Sequence, residues 1–505
     1  MSVKYLEILL KVRYSEGFSS KNPFLFRYSA NAQYDVVLEI WGEICYINSK
    51  HFLYVNNRWS GIITLIFLRF FNMISNFFRL KDLGTDIKTE LVGGFTSFIT
   101  MAYMLIINSK ILEMAGMPFE ASMAAVIYTT FIGCMIMGLY ANRPFAVAPL
   151  VGECAFFAYT VVALMGFSWQ VVLGAVFLSG VVFFLLTALN IRPWLVNSMP
   201  ESLKMSFGAG LGIFLALLGL LKSGIVEAGN AEIPVHIGNW QEPKVMLAVF
   251  GVVLIVVLLA KKVKAALLLG IIVLTIISFL FGLSDVPSSL MSAPPDIRPV
   301  LGQLDILGAI DLKFLPVLFV IFVVFYVDTM GTLIGVSYKA GFLDEKGNLP
   351  EIKKPMFADS LTTVFASLLG TTTSGVFLES ATGVQTGARS GLSTVFVGVL
   401  FLLGLFFAPL FTSIPPEAYA PALIVVGLLM ISGISRVDFS DPTEYIPSCL
   451  AIVLMVFTYN AGIGMAAGFI AYPLMKLFSG QREKTNPANW ILCVISIIFF
   501  VLYPY

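Results

Sequence analysis

From about residue 90 to residue 478 the chain is one apolar stretch after another, separated by short polar turns. Lipid offers no hydrogen-bond partner to a backbone N–H or C=O. A segment that crosses it must therefore close its own bonds as a helix or share them around a closed barrel. Barrel strands would read as runs of about ten residues with alternating polarity, and no such runs occur. Helical spans need about 20 predominantly apolar residues each. Candidates lie at about 91–110, 121–140, 144–164, 169–190, 203–222, 244–260, 265–283, 314–337, 356–370, 375–390, 391–411, 418–433, 446–459 and 461–478. This predicts an all-α membrane protein of about fourteen transmembrane segments. A further apolar run at 489–503 either lies at the interface or forms an extra span.

Composition agrees. Of 505 residues, 58% are hydrophobic and 12% charged, whereas a soluble domain carries about 45–50% and about 25%. There is too little charge to cover an aqueous exterior. The net charge of +1 gives no basic patch for nucleic acid. With two histidines and five cysteines, none at metal-ligand spacing, neither a metal centre nor a histidine base is expected. No cofactor and no enzymatic activity are expected either.

Residues 1–72 differ, with charged and polar residues scattered through them. Their longest apolar run, Gly61 to Phe71, is about half a span. They read as a peripheral or artefactual extension, bounded as 1–85 where the first segment's approach ends. Lys and Arg gather on one side if the segment before 91 is cytoplasmic: Arg192, Lys204, Lys261, Lys262, Lys264, Lys339, Lys353, Lys354, Arg389 and Arg436 then all face inward. The positive-inside rule thus predicts a cytoplasmic N-terminus in a multi-pass plasma (inner) membrane protein.

An internal repeat is visible. The fifth segment is introduced by Met199-Pro200-Glu201 and the twelfth by Ile414-Pro415-Pro416-Glu417. The third and tenth are both interrupted, at Pro144 to Gly152 and Gly370 to Gly375. Seven is odd, so the second copy enters the membrane inverted. Broken helices in matching positions of inverted repeats point to a substrate site at mid-membrane.

Intramembrane carboxylates are the sharpest chemical signal, since each costs about 2.5–3.5 kcal/mol on insertion scales. Asp328 lies deep in the eighth segment, with Thr332 one turn on and sharing its face. Glu379 follows the Thr, Ser and Gly run of the tenth segment. It is expected in the first turn of a half-helix, where backbone N–H groups favour an anion. Glu153 sits in the interrupted third segment beside Cys154, Ala155 and Phe156. Two carboxylates and the aromatic faces of Phe156 and Phe377 suit a flat heterocycle with N–H donors, because a carboxylate accepts from two adjacent donors in strong, charge-assisted bonds. An amine or other cation fits equally well on these residues alone.

Three motifs make the chain resemble a known family: Thr89-Glu-Leu-Val-Gly-Gly-Phe-Thr-Ser-Phe-Ile-Thr-Met-Ala-Tyr103-Met-Leu-Ile-Ile-Asn108, Asp328-Thr-Met-Gly-Thr-Leu-Ile-Gly335, and Ser374-Gly-Val-Phe-Leu-Glu379-Ser-Ala-Thr-Gly-Val-Gln-Thr-Gly-Ala-Arg389-Ser-Gly-Leu392. They are similar to the opening, eighth and tenth helices of the nucleobase–ascorbate (NCS2) transporters, in the AzgA-like branch of adenine, guanine and hypoxanthine permeases. The resemblance implies a seven-plus-seven inverted repeat with short strands in segments three and ten. It implies a core domain of residues 86–195 and 313–412 and a gate domain of residues 196–312 and 413–505. It also implies import of purine nucleobases by proton symport, often as a homodimer, with H+ as coupling ion and the bilayer as surroundings. The family's two purine-contacting acidic residues fall on Asp328 and Glu379. The expected substrate-binding set is Asp328, Glu379, Phe377, Leu378, Thr332, Ala155 and Phe156. Proton coupling or specificity is expected from Asp328, Glu379, Glu153 and Cys154. The branch's usual third-segment run, Gly-x-Gly-x-Asn-Ala-Phe, here carries Leu150 for its first Gly and Cys154 for its Asn. A thiol is a weaker donor and acceptor than an amide. Uracil, xanthine or another small solute on the same fold is the alternative. A membrane-embedded enzyme or a channel finds no supporting constellation.

Overall fold

The computed structural model describes residues 69, 71–189, 199–230, 234–287, 289–311, 313–344 and 349–502, apart from the side chains of residues 316, 326–328, 330, 331, 339 and 502. The reading of residues 1–72 as an extension falls almost wholly outside this set, as do Arg192 and residues 503–505.

The elements follow the apolar stretches closely. The first segment is α1 (Ile87–Met101) and α2 (Tyr103–Met114), and the second is α3 (Phe119–Ile136), prolonged by a π-helical turn to Ala141. The third is β1 (Val147–Pro149) and α4 (Val151–Ala155), continued π-helically to Leu164. Then come α5 (Trp169–Ala188), α6 (Glu201–Lys222), an exposed hairpin of β2 (Val226–Ala228) and β3 (Val235–Ile237), α7 (Pro243–Ala260) and α8 (Ala266–Leu280). The second half runs α9 (Leu315–Lys339), α10 (Lys353–Leu369), β4 (Ser374–Val376) with α11 (Ser380–Gln385), α12 (Gly391–Leu403), α13 (Pro416–Met430), α14 (Pro442–Phe457) and α15 (Ala461–Phe478). The run at 489–503 is a helix, α16 (Pro487–Leu502). Ala488, Cys493, Ser496 and Phe499 are buried, while Ile491, Val494, Ile498 and Val501 are exposed. The buried face packs on α15.

The two halves are inverted copies of seven segments. Both broken segments consist of a three-residue strand followed by a short helix, and the strands pair with each other antiparallel. Corresponding strands of copies that enter the membrane from opposite sides must run in opposite directions. The fifth and twelfth segments match as well, each starting behind a proline N-cap, Pro200 and Pro415.

Close packing uses small residues, as expected where lipid supplies no hydrophobic drive between helices. A Cβ placed on Gly212 of α6 would lie 2.5 Å from the Gly427 carbonyl oxygen of α13, so these two helices meet backbone to backbone. Among other neighbours, α5 lies on α10, α12 on α1 and α3, and α14 on α6 and α15.

One capping interaction joins segments far apart in the chain. Fully buried Glu90 of α1 accepts from the backbone N–H groups of Arg389 (2.7 Å) and Ser390 (3.1 Å) through Oε1, and of Ser393 (3.3 Å) through Oε2. These are donors at the start of α12 that have no partner within that helix. Orphaning a buried donor costs about 1–3 kcal/mol, so Glu90→Ala is expected to destabilise the purified protein by about 3 kcal/mol or more. Glu90→Gln retains an acceptor oxygen and is expected to lose less. Thermal unfolding in detergent checks both; equal melting of Glu90→Ala and wild type would remove the capping role.

Candidate functional site

Where the third and tenth segments break, the chain runs without helical hydrogen bonds, and each broken segment completes the other. Val147 faces Val376, Ala148 faces Gly375 and Pro149 faces Ser374. The ladder extends beyond the strands: Phe377 N–H donates to the Ala146 carbonyl (2.9 Å) and Leu150 N–H to that of Thr373 (3.3 Å). Ala146 N–H donates to Ser380 Oγ (2.9 Å). Asn108 of α2, fully buried, donates through Nδ2 to the Pro149 carbonyl (2.7 Å), which ties the first segment to the end of β1. A Cβ on Gly375 would come 2.7 Å from Leu150 Cδ1, so a larger residue here would push the Leu150 side chain aside. The same Cβ would lie 3.5 Å from Thr329 Oγ1 of α9. Leu378 Cδ2 likewise lies 3.5 Å from the Cβ position of Gly335. The eighth segment is thus set directly against the tenth in the stretch that follows Asp328, at Thr329 and Gly335. Asp328 itself falls within α9, with its side chain outside the described set.

Glu379 is half-buried at the N-cap of α11, one residue before the first turn in which the sequence placed it. Its carboxylate makes no cap bond to that helix. Instead Oε1 accepts from the Tyr103 hydroxyl of α2 at 2.6 Å. Below it, Thr100 and Thr382 hydroxyls meet at 3.1 Å. A plain helix cap is therefore excluded for Glu379, and its orientation is set by the first segment.

The other expected residues separate. Phe377 is buried and its N–H is committed to Ala146, while Leu378 is 43% exposed. Thr332 is buried and its hydroxyl donates to the Thr329 carbonyl of its own helix (3.1 Å), which leaves its oxygen as an acceptor. Ala155, Phe156, Glu153 and Cys154 are all buried. Cys154 Sγ lies 3.1 Å from Thr372 Oγ1, which joins the third segment to the tenth at the position where the branch motif carries Asn. Gly152 approaches Leu211 of α6, 3.7 Å from its Cβ position, so α4 borders both halves of the packing. Tyr103, Asn108 and Thr372 were not singled out from sequence. A signal existed: Thr96, Thr100, Tyr103 and Asn108 recur at three- to five-residue spacing along one apolar span, a polar stripe that lipid would not tolerate.

The Permease family profile, Xan_ur_permease, matches residues 88–481. The adenine permease AdeP of Escherichia coli K12 is 39% identical over 430 residues, which cover 85% of this chain and 96% of that protein. The guanine/hypoxanthine permease PbuG of Bacillus subtilis is 35% identical over 439 residues, covering 85% and 99%. Among solved structures, the transmembrane domain of the cyanobacterial bicarbonate transporter BicA superposes with a TM-score of 0.57 at 19% identity, covering 76% of this chain and 97% of that one. That likeness concerns the fold alone. With a family profile spanning the paired strands, Glu379 and the flanks of Asp328, and relatives matched over nearly their whole lengths, the chain is a membrane transporter of the Permease family.

Proposed function

We propose that the chain imports purine nucleobases, with adenine, hypoxanthine and guanine as the candidates, by proton symport through alternating access. The observation that carries this is the half-buried Glu379 carboxylate, held by Tyr103 at the start of a broken helix whose segment packs against the one that bears Asp328. A carboxylate in that position accepts from adjacent ring and exocyclic N–H groups of a flat base. Similarity to AdeP and PbuG favours purines over other solutes. Segments one to four and eight to eleven act as the core that carries substrate, and segments five to seven and twelve to fourteen as the gate. Asp328 and Glu379 share the binding of base and proton, and Glu153 and Cys154 adjust specificity. The N-terminus is cytoplasmic, the membrane is the plasma membrane, and the protein works as a homodimer.

Uptake of radiolabelled hypoxanthine and adenine by cells lacking their own purine permeases tests this, with unlabelled purines, uracil and xanthine as competitors. The expected result is competition by purines, stimulation by an acidic exterior and collapse with a protonophore. Competition by uracil alone would overturn the substrate, and indifference to the protonophore would overturn the coupling.

A further inference from the structure

Three contacts fasten the proposed core to the proposed gate. Thr160, in the π-helical continuation of α4, donates through Oγ1 to the Tyr459 carbonyl in the turn between α14 and α15, at 2.7 Å. Lys222, the last residue of α6, has its Nζ 3.2 Å from Sδ of Met114, the last residue of α2, and the Glu113 carboxylate attracts it. A Cβ on Gly462, at the start of α15, would come 2.6 Å from Val320 Cγ1 in the second turn of α9. All three lie at the helix ends that the proposed topology places outside.

The Tyr459 turn is shaped to offer its carbonyl. Tyr459 is left-handed (φ 52°), a conformation that costs any residue with a Cβ and persists only where its surroundings impose it. Here Asn460 Oδ1 caps α15 by accepting from the Gly462 and Ile463 N–H groups at 2.9 and 3.2 Å, and the Tyr459 ring lies edge-on to Phe214 of α6 at 6.0 Å.

The inverted repeat gives this turn a counterpart seven segments earlier, between α7 and α8 and at the opposite end. There Lys262 takes the same left-handed place (φ 57°), likewise two residues past the end of the preceding helix. Lys261 and Lys262 are exposed, whereas Tyr459 is half-buried and Thr160 fully buried. Matching turns are thus engaged at one end and solvated at the other. We propose that Thr160 and the Tyr459 turn form a latch that closes the outer end, so that this structure is the state open toward the cytoplasm, and that Thr160 must release the turn before the site opens outward.

The latch rests on the alternating-access reading above, and it is tested without substrate. Val320→Cys puts a thiol into the seam, where Val320 is 5% exposed. A membrane-impermeant cationic methanethiosulfonate is added outside right-side-out vesicles holding the full-length protein, and modification of that thiol is followed by peptide mass. The thiol reacts while the seam is parted, so its rate follows the open fraction. One hydrogen bond shifts such a ratio about fivefold. In the Val320→Cys parent, Thr160→Val is expected to speed labelling about fivefold and Thr160→Ser to leave the parent rate. Lys222→Met, which loosens the second contact, is expected to act in the same direction and keeps the test standing should Thr160→Val fail to fold. Thr187→Val, whose hydroxyl donates to Phe183 within α5, is expected to change nothing. Labelling unchanged by both Thr160→Val and Lys222→Met would overturn the latch. So would a parent rate equal to that of Leu307→Cys, an exposed position at the same end. Hypoxanthine uptake is measured in the same vesicles: none in the parent, with faster labelling of Thr160→Val, would overturn the purine reading and uphold the latch.

Discussion

Glu379→Ala is expected to abolish purine uptake while the protein remains in the membrane at normal abundance. Glu379 makes no cap bond that its helix needs, so removing it leaves the fold of α11 largely intact. What is lost is the acceptor. A hydrogen bond to a charged group is worth about 1.5–3 kcal/mol. Two such bonds to a base amount to about 3–6 kcal/mol, or about 10²–10⁴-fold in kcat/KM. Glu379→Gln keeps one acceptor oxygen but no charge and should fall between. Tyr103→Phe removes the 2.6 Å bond that orients the carboxylate while leaving the charge, and is expected to cost about tenfold by the same arithmetic. Asp328→Ala is expected to match Glu379→Ala. Initial rates of radiolabelled hypoxanthine and adenine uptake, normalised to protein in isolated membranes, provide the check. Near-normal rates in both carboxylate variants would remove the site.

The second large effect is expected at the opposite kind of position. Lys476 of α15 is fully buried, with Nζ 2.6 Å from Glu444 Oε1 and 3.3 Å from Asp441 Oδ2. The Thr443 hydroxyl is also 2.6 Å away. Glu444 in turn accepts from Ser202 of α6 (2.6 Å) and from Tyr472 (3.1 Å). The cluster ties the ends of α6, α14 and α15 together. Removing one partner of a buried pair leaves an uncompensated charge and costs about 3–5 kcal/mol. Lys476→Ala is therefore expected to lower the melting temperature by about 5 °C or more, while Lys476→Met with Glu444→Gln recovers part of the loss. The Thr443 hydroxyl and N–H, with Lys476 adding to them, hold Asp441 down at about 2. A lowered carboxylate stabilises the fold above its ordinary value near 3.9 and loses that contribution only as pH falls through about 2. Asp441 is thus expected to cause no change in melting between pH 7 and pH 5. A Lys476→Ala protein that melts with wild type would show the cluster to be incidental.

Much of the architecture was legible because lipid is a strict solvent. The apolar stretches predicted the helices, and the last apolar run proved to be α16, which packs on α15. The interruptions at 144–152 and 370–375 became β1 and β4. The position of Glu379 was right to within one residue, but its partner was not legible: Tyr103 lies in another segment, and no local pattern announces a bond across such a separation. The same holds for Glu90 at the start of α12, for Asn108 at Pro149, and for Lys476 among Asp441, Glu444 and Ser202.

The order of the spans and their breaks were thus determined by the sequence itself, since each follows from whether a stretch of chain can satisfy its own backbone in hydrocarbon. Tertiary structure alone decided which breaks satisfy each other, which hydroxyl orients Glu379 and which turn accepts from Thr160. Those outcomes depend on the relative placement of segments hundreds of residues apart, and side-chain hydrogen bonds and packing act over a few ångströms of space, whatever the distance along the chain.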